Sequence, residues 1–359
     1  MTWITNISQR TWWIVGGAFV VLAALLPLLN LSIPGVLPGA TYTPGTLQLL
    51  ALALLFASLA LSYHLLFGTA GMLSFGHALY FALGAYGLGI VLQQTDLTLI
   101  PALGLTLAIV IAAAYLLGSL SLRVTGISFA MVTLAFAQAG NVLVRRNPSV
   151  TGGEEGLRLD TEHIPDFFIG VINTRNLYWL ALALLVLVFV IVAWFENSRA
   201  GHAVTATREN ELRVRVLGLR PFGVKLMAFV IASVLASLVG MVHLLLQSGT
   251  TPGATSADFT LTILVIVVLG GVGSRWGAIV GGIIYTLLDQ RLTALAGSEA
   301  IADLPAVLRI PLSEPLFILG TLFILVVLFL PGGIAGAARR LGTGTNATPL
   351  ARKQLEEAE

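Results

Sequence analysis

The sequence predicts an all-α fold: a polytopic membrane helix bundle of about ten transmembrane segments, with both termini in the cytoplasm. Three observations predict it. Of 359 residues, 57% are hydrophobic and only 10% charged, where a soluble domain carries about a quarter charged. A water-soluble fold has no room for that much apolar surface, because its exterior must stay wet. Second, the apolar residues fall in runs of about 20, the length of helix that satisfies its own backbone across a bilayer. Third, the few charges divide unevenly between alternate loops.

The runs are 12–30, 47–67, 71–92, 98–121, 124–144, 177–195, 223–247, 258–273, 276–294 and 312–331. The first follows Arg10, as a signal peptide would. Trp12 and Trp13 instead sit where interfacial anchors belong, and no small-x-small cleavage site follows, so a retained helix is expected. Segment 71–92 is dense in Gly and Ser, and 258–273 is short. Both are irregular candidates for a span.

Charge then sets the orientation. With the N-terminus inside, segments 1–11, 68–70, 122–123, 196–222, 274–275 and 332–359 face the cytoplasm. Counting Lys225 at the membrane edge, that side holds 13 of the 19 Lys and Arg and 6 of the 17 Asp and Glu, a net of +7. The other side holds 6 basic and 11 acidic residues, a net of −5. An overall charge of +2 is too small to indicate a nucleic-acid partner.

Two loops stand out. Loop 145–176 is long and mixed in charge, and contains Thr151-Gly-Gly-Glu-Glu-Gly156; it is either a solvated excursion or a docking surface. In the inner loop 196–222, residues 203–217 lack Pro and Gly, and Gly218 follows as a C-cap. Ala203, Ala206, Leu212, Val216 and Leu217 can share one side while Arg208, Glu209, Arg213 and Arg215 stay wet. Such a helix lies on the headgroups or inserts into a cleft on a cytoplasmic partner.

Much chemistry is excluded. With no cysteine there is no disulfide, thiol nucleophile or thiolate metal site. The two lysines, Lys225 and Lys353, follow Val224 and Arg352, so no phosphate-binding Gly-Lys-Ser/Thr loop exists. The five histidines show no His-Glu-x-x-His, so a zinc protease is excluded and no metal site is expected, and Ser74 near His77 lacks a Gly-x-Ser-x-Gly setting. No catalytic residue and no cofactor is therefore expected. Asp258, Asp289 and Glu314 all fall near span ends, which weakens the case for a proton-coupled carrier.

Gly270-Gly-Val-Gly-Ser-Arg-Trp-Gly277 follows an apolar run and imitates a dinucleotide turn. The segment after it is apolar all round, so a tight turn with close helix approach, at the GxxxG spacing of Gly277 and Gly281, is expected instead. The membrane's remaining polar content is neutral: the glycine-dense segment 68–90, and Thr133, Gln138 and Asn141. Segment 68–90 either packs tightly or lines a pathway. This content suits a small polar or zwitterionic solute better than an ion.

Five segments carry a family resemblance. They are Gly71-Met-Leu-Ser-Phe-Gly-His-Ala-Leu-Tyr-Phe-Ala-Leu-Gly-Ala-Tyr86, Thr151-Gly-Gly-x-x-Gly-Leu157, Ser198-Arg-Ala-Gly-His-Ala-Val-Thr-Ala-Thr-Arg-Glu-Asn-Glu211 with Leu217-Gly-Leu, Val268-Leu-Gly-Gly-Val-Gly-Ser-Arg-Trp-Gly277, and Leu330-Pro-Gly-Gly-Ile334. In order and spacing, over roughly residues 47–336, they resemble branched-chain amino acid ABC permeases of the LivM type. The departure is Thr69-Ala70, where an aromatic or Gly is expected before the motif.

The resemblance implies a transport subunit, not an enzyme, in a bacterial inner membrane. Its implied partners are a LivH-type second permease, two cytoplasmic ATPase subunits and an extracytoplasmic solute-binding protein. Residues 1–336 would form the permease domain, with 196–222 as its cytoplasmic coupling loop, and 337–359 a disordered tail. Arg208, Glu209, Asn210 and Glu211 would be the polar contacts to the ATPase, with Val204 and Ala206 inserted. Ser74, His77, Thr133 and Gln138 are the pathway candidates. The cargo would be a branched-chain or other neutral amino acid. The alternatives are a urea or short-amide importer, and a stand-alone channel or carrier for a small neutral solute.

Overall fold

The computed structural model describes residues 9–32, 37–296, 314–329 and 332–336, so the expected tail lies outside the described residues. Its main helices are α1 (Gln9–Leu25), α2 (Pro44–His64), α3 (His77–Gln94), α4 (Leu99–Ser121), α5 (Ile127–Arg146) and α6 (Thr174–Asn197). They continue with α7 (Arg199–Glu209), α8 (Glu211–Val216), α9 (Pro221–Gln247), α10 (Ala257–Gly270), α11 (Arg275–Ala296) and α12 (Pro315–Phe329). The chain is a helical membrane bundle.

Among the described residues, five helical stretches are long and apolar enough to cross a bilayer: Pro44–Thr69, Leu99–Ser121, Ile127–Arg146, Val171–Asn197 and Pro221–Gln247. The pair α10 and α11 meets the same test together, bent by 119° at its break, which makes six if the pair is one span. Segment 71–92 is not one continuous helix. Residues 70–76 are irregular and α3 starts at His77.

Helix α2 is the hub. Of its apolar window 83% is buried inside the protein, against 28% for α4, which separates a central helix from a peripheral one. Small residues make this possible: Ala51, Ala57, Ser58, Ala60 and Ser62 are all buried, and α11 brings Gly282 against the Ala57 backbone. Ser58 and Ser62 satisfy their hydroxyls within the helix, on the Leu54 and Leu59 carbonyls. On the outside, α4 exposes Ile100, Ile109, Tyr115 and Leu116, and α6 exposes Leu187 and Trp194. Apolar side chains facing outward along whole helices mark a lipid-facing surface.

Glycines set the tightest crossings. Gly84 of α3 lies against the Ser237 carbonyl of α9, and Gly240 of α9 lies against the Phe81 carbonyl of α3. Gly76 faces Thr133 of α5, Gly87 faces Thr106 of α4, and Gly89 faces Leu157. For these four positions of the glycine-dense segment, packing is what the structure shows. Gly270, Gly277 and Gly281 likewise bring α10 and α11 into backbone contact. Residues 263–269 belong to a helix rather than a strand, so the dinucleotide-like turn has no βαβ setting.

Contacts between loops sort the bundle's two ends. At one end β1 (Leu157–Arg158) pairs antiparallel with β2 (Gly249–Thr250), and Gln93 donates to the Arg158 carbonyl at 2.6 Å. At the other end Glu196 bonds Thr69 and Arg275, and Arg208 bonds Gly68. This second set joins loops 68–70, 196–222 and 274–275, which the charge count had placed on one side.

Candidate functional site

The segment between α2 and α3 is held from behind by hydrogen bonds. After a π turn at Leu65–Thr69, residues 71–76 alternate in exposure, with Met72, Ser74 and Gly76 inward and Gly71, Leu73 and Phe75 outward. Tyr63 donates to the Ser74 carbonyl at 3.0 Å, and the Phe75 amide donates to the Thr133 hydroxyl at 3.1 Å. Ser62 gives its only proton to Leu59, so the 2.9 Å contact with His77 Nε2 requires the imidazole to donate. The Ala78 amide, one of the donors a helix start leaves unpaired, reaches Thr260 of α10 at 3.2 Å. Ser74 and His77 are completely buried and Thr133 nearly so. Ser74 Oγ accepts from the Gly76 amide, so Ser74 and His77 do not pair with each other.

Gln138 is placed differently. Helix α5 buries Phe129, Ala130, Thr133, Ala137 and Asn141 on one face, while Met131, Ala135, Gln138 and Val142 lie exposed on the other. The far end of α5 is locked by Asn141 to Thr255 at 2.8 Å, and by Arg145 to Asn141 at 3.0 Å and Glu154 at 2.7 Å.

A charged node lies where α2, α6 and α11 end together. The Glu196 carboxylate accepts from Thr69 Oγ1 at 2.6 Å, meets Arg275 Nε at 3.0 Å, and lies 3.4 Å from His64 Nε2. The side chain of His64 is only 3% exposed and that of Glu196 only 18%. Sequence reasoning did not single out this node. The signal available was that Glu196 and Arg275 are scarce charges at the same membrane end.

Just beyond, Ser198 caps α7 by accepting from the Gly201 amide at 3.1 Å. The expected helix over 203–217 is two helices. Asn210, in an extended conformation, ends α7 and caps α8 by accepting from the Arg213 amide at 3.0 Å. An Asn at a helix start outcompetes continuation because its side chain bonds the next turn. Val204, Thr207 and Val214 are buried against the bundle. Arg208 reaches across to the Gly68 carbonyl and covers Gly71, whose φ of +66° already excludes most side chains. Glu211 pairs with Lys225 at 2.6 Å and with Arg215. Ala206 and Glu209 point outward, joined by Leu212, Val216 and Leu217, which are 71%, 81% and 77% exposed.

The Lys225 hydrogen bond, seconded by Arg215, holds the Glu211 carboxyl below its ordinary pKa. A carboxyl lowered on folding stabilises the folded state above its unfolded pKa, and that contribution disappears as pH falls through the lowered value. Amide-exchange protection of residues 211–217 is therefore expected at neutral pH and lost on acidification below the ordinary glutamate range. In Lys225→Met the loss should move to higher pH; identical profiles would contradict the pairing.

The family model of the branched-chain amino acid transport system permease component matches residues 45–330. The chain belongs to this family. The chain is 30% identical over 268 residues to the high-affinity branched-chain amino acid transport system permease protein LivM of Escherichia coli K12, covering 68% of this chain and 62% of that protein. It therefore spans about three-fifths of the LivM proteins of Escherichia coli and Salmonella typhimurium. Similarity extends to the corresponding LivH of the same bacterium, at 25% identity over 78% of this chain and 91% of LivH. A probable LivM of Methanocaldococcus jannaschii is also 25% identical, over 78% of this chain and 90% of the relative. No solved structure matches. The chain is thus a multi-pass membrane protein of this family, with its motif segment 71–86 folded as the clasped loop and the first part of α3.

Proposed function

We propose that this chain is the membrane-spanning permease subunit of an ATP-driven importer for branched-chain or other neutral amino acids. It crosses a bacterial inner membrane ten times with both termini in the cytoplasm, beside a LivH-type second permease. Two cytoplasmic ATPase subunits drive it and an extracytoplasmic binding protein delivers the cargo. The carrying observation is the two-sided build of α7 and α8. Their inner side is fixed to the bundle through Val204, Thr207, Arg208, Glu211 and Val214. Their outer side presents Ala206, Glu209, Leu212, Val216 and Leu217 to an ATPase groove.

A part that is rigidly attached on one side and apolar on the other transmits displacement. Closure of the ATPase dimer moves α7 and α8, the Glu196 node passes that movement to α2, α6 and α11, and access alternates. The cargo passes along the open face of α5. Gln138 offers an amide there, which is unfavourable against lipid and suited to a zwitterion. Ser74, His77 and Thr133 serve the pathway from behind by fixing loop 71–76 against α5.

The test uses Leu212→Asp with Val216→Asp, both outside the buried attachments. The double variant should stay monodisperse and folded while ATPase co-purification falls at least tenfold. ATPase retention at the wild-type level would overturn the docking surface.

A further inference from the structure

A cavity of about 1070 Å³ opens at the end of the bundle that carries α7 and α8. Its walls are the outward face of loop 70–75, the turn between α4 and α5, and the start of α9. Charge in it is one-sided: Arg123, Arg208, Arg215, Arg220 and Lys225 line it with a single acid, Glu211. Five cations against one carboxylate leave a net of +4. Arg215 and Lys225 share Glu211, and Arg208 is committed to the Gly68 carbonyl. Arg123 and Arg220 form no ion pair among the described residues. Two exposed guanidinium groups without an ion pair line one cavity, a geometry that suits an anion with several acceptor oxygens.

The other walls are apolar. Leu73, Phe75 and Phe129 lie within, and Ile127, Met131 and Phe222 stand at the mouth, 83%, 58% and 46% exposed. Leu116 and Leu120 of α4, just before the cavity-lining Leu122 and Arg123, are exposed and continue the apolar surface along that helix. A soluble phosphate has no use for such walls. An anion that carries hydrocarbon chains does, because its headgroup meets the arginines while its chains follow the lipid-facing helices.

We propose that this cavity is a binding site for an anionic phospholipid, its phosphate held by Arg123 and Arg220 and its acyl chains laid along α4. The occupant lies between loop 70–75 and α8, whose residues both line the cavity. The leaflet rests on the sidedness proposed above. The headgroup selectivity does not, and it is measured without transport or ATP.

The full-length chain, purified with whatever subunits accompany it, is equilibrated with equal amounts of phosphatidylglycerol and phosphatidylcholine. Retained lipid is then read by native mass spectrometry. The wild type should retain phosphatidylglycerol at least tenfold over phosphatidylcholine. Arg123→Ala with Arg220→Ala should remove that preference, and Arg123→Lys with Arg220→Lys should largely keep it. Phosphatidylglycerol should also raise the wild-type Tm and leave the alanine variant unmoved. Equal retention of the two lipids, or an unchanged preference in the alanine variant, would overturn the site. So would displacement of the lipid by millimolar inorganic phosphate, which would make the ligand a soluble anion. An acidic protein segment found in the cavity by cross-linking to Arg123→Cys would overturn it as well.

Discussion

Gly84→Val is expected to leave no folded, monodisperse protein. A side chain at Gly84 would overlap the Ser237 carbonyl of α9, and the reciprocal position, Gly240, faces the Phe81 carbonyl and the Ala85 amide of α3. Both obstacles are backbone, so no rotamer change relieves them. Overpacking usually costs about 1–3 kcal/mol where neighbours can shift, and here only separation of two buried helices would do. Nearby, Phe229 of α9 is lodged against Tyr80 of α3 and Phe129 of α5, with ring centroids 5.5 and 6.2 Å apart, so separation at one crossing would loosen a second. Gly240→Val should behave alike. Gly104→Val, on the exposed face of α4 with nothing near it, should elute from size exclusion as the wild type does. A monodisperse Gly84→Val with an unchanged Tm would mean that α3 and α9 do not cross as described.

Glu196→Ala has the second largest expected effect. It removes one carboxylate and strands three partners: the Thr69 hydroxyl, the Arg275 guanidinium and the buried His64. Hydrogen bonds to charged groups contribute about 1.5–3 kcal/mol each, and breaking a buried pair costs about 3–5 kcal/mol. Glu196 is partly wet, so a loss of about 2–4 kcal/mol is expected, seen as a clear fall in Tm in detergent. Glu196→Gln keeps an acceptor for Thr69 and should recover part of it. A wild-type Tm for the alanine variant would show the node to be incidental. The same variant should keep its ATPase while losing cargo-dependent stimulation of ATP hydrolysis, because the node joins α6, immediately before α7, to α2 and α11.

The helical bundle was legible in the apolar runs because lipid imposes one length and one secondary structure on a spanning backbone. The grouping of loops at each end was legible in the charges, since Thr69, Glu196 and Arg275 do meet. Three things were not legible. Glycine density in segment 68–90 is the same for a lined pathway and for helices in backbone contact; only the neighbours of Gly76, Gly84 and Gly87 decide between them. The break at Asn210 turned on one side chain preferring the Arg213 amide to solvent, a local choice that the apolar spacing of 203–217 does not encode. Periodicity placed Leu212, Val216 and Leu217 on one side of an amphipathic helix. It had no means to show that Val204 is buried in its own chain while those three stay open.

The central claim is that the permease moves solute only when driven through its α7–α8 surface. Uptake of radiolabelled leucine by proteoliposomes tests it most directly. One set holds this chain alone and another holds it with the second permease, both ATPases and the binding protein, each with and without ATP. Accumulation is predicted only for the full set with ATP, and it should disappear with the Leu212→Asp and Val216→Asp substitutions. Uptake by this chain alone, without ATP, would contradict the account and make the protein a self-sufficient channel or carrier.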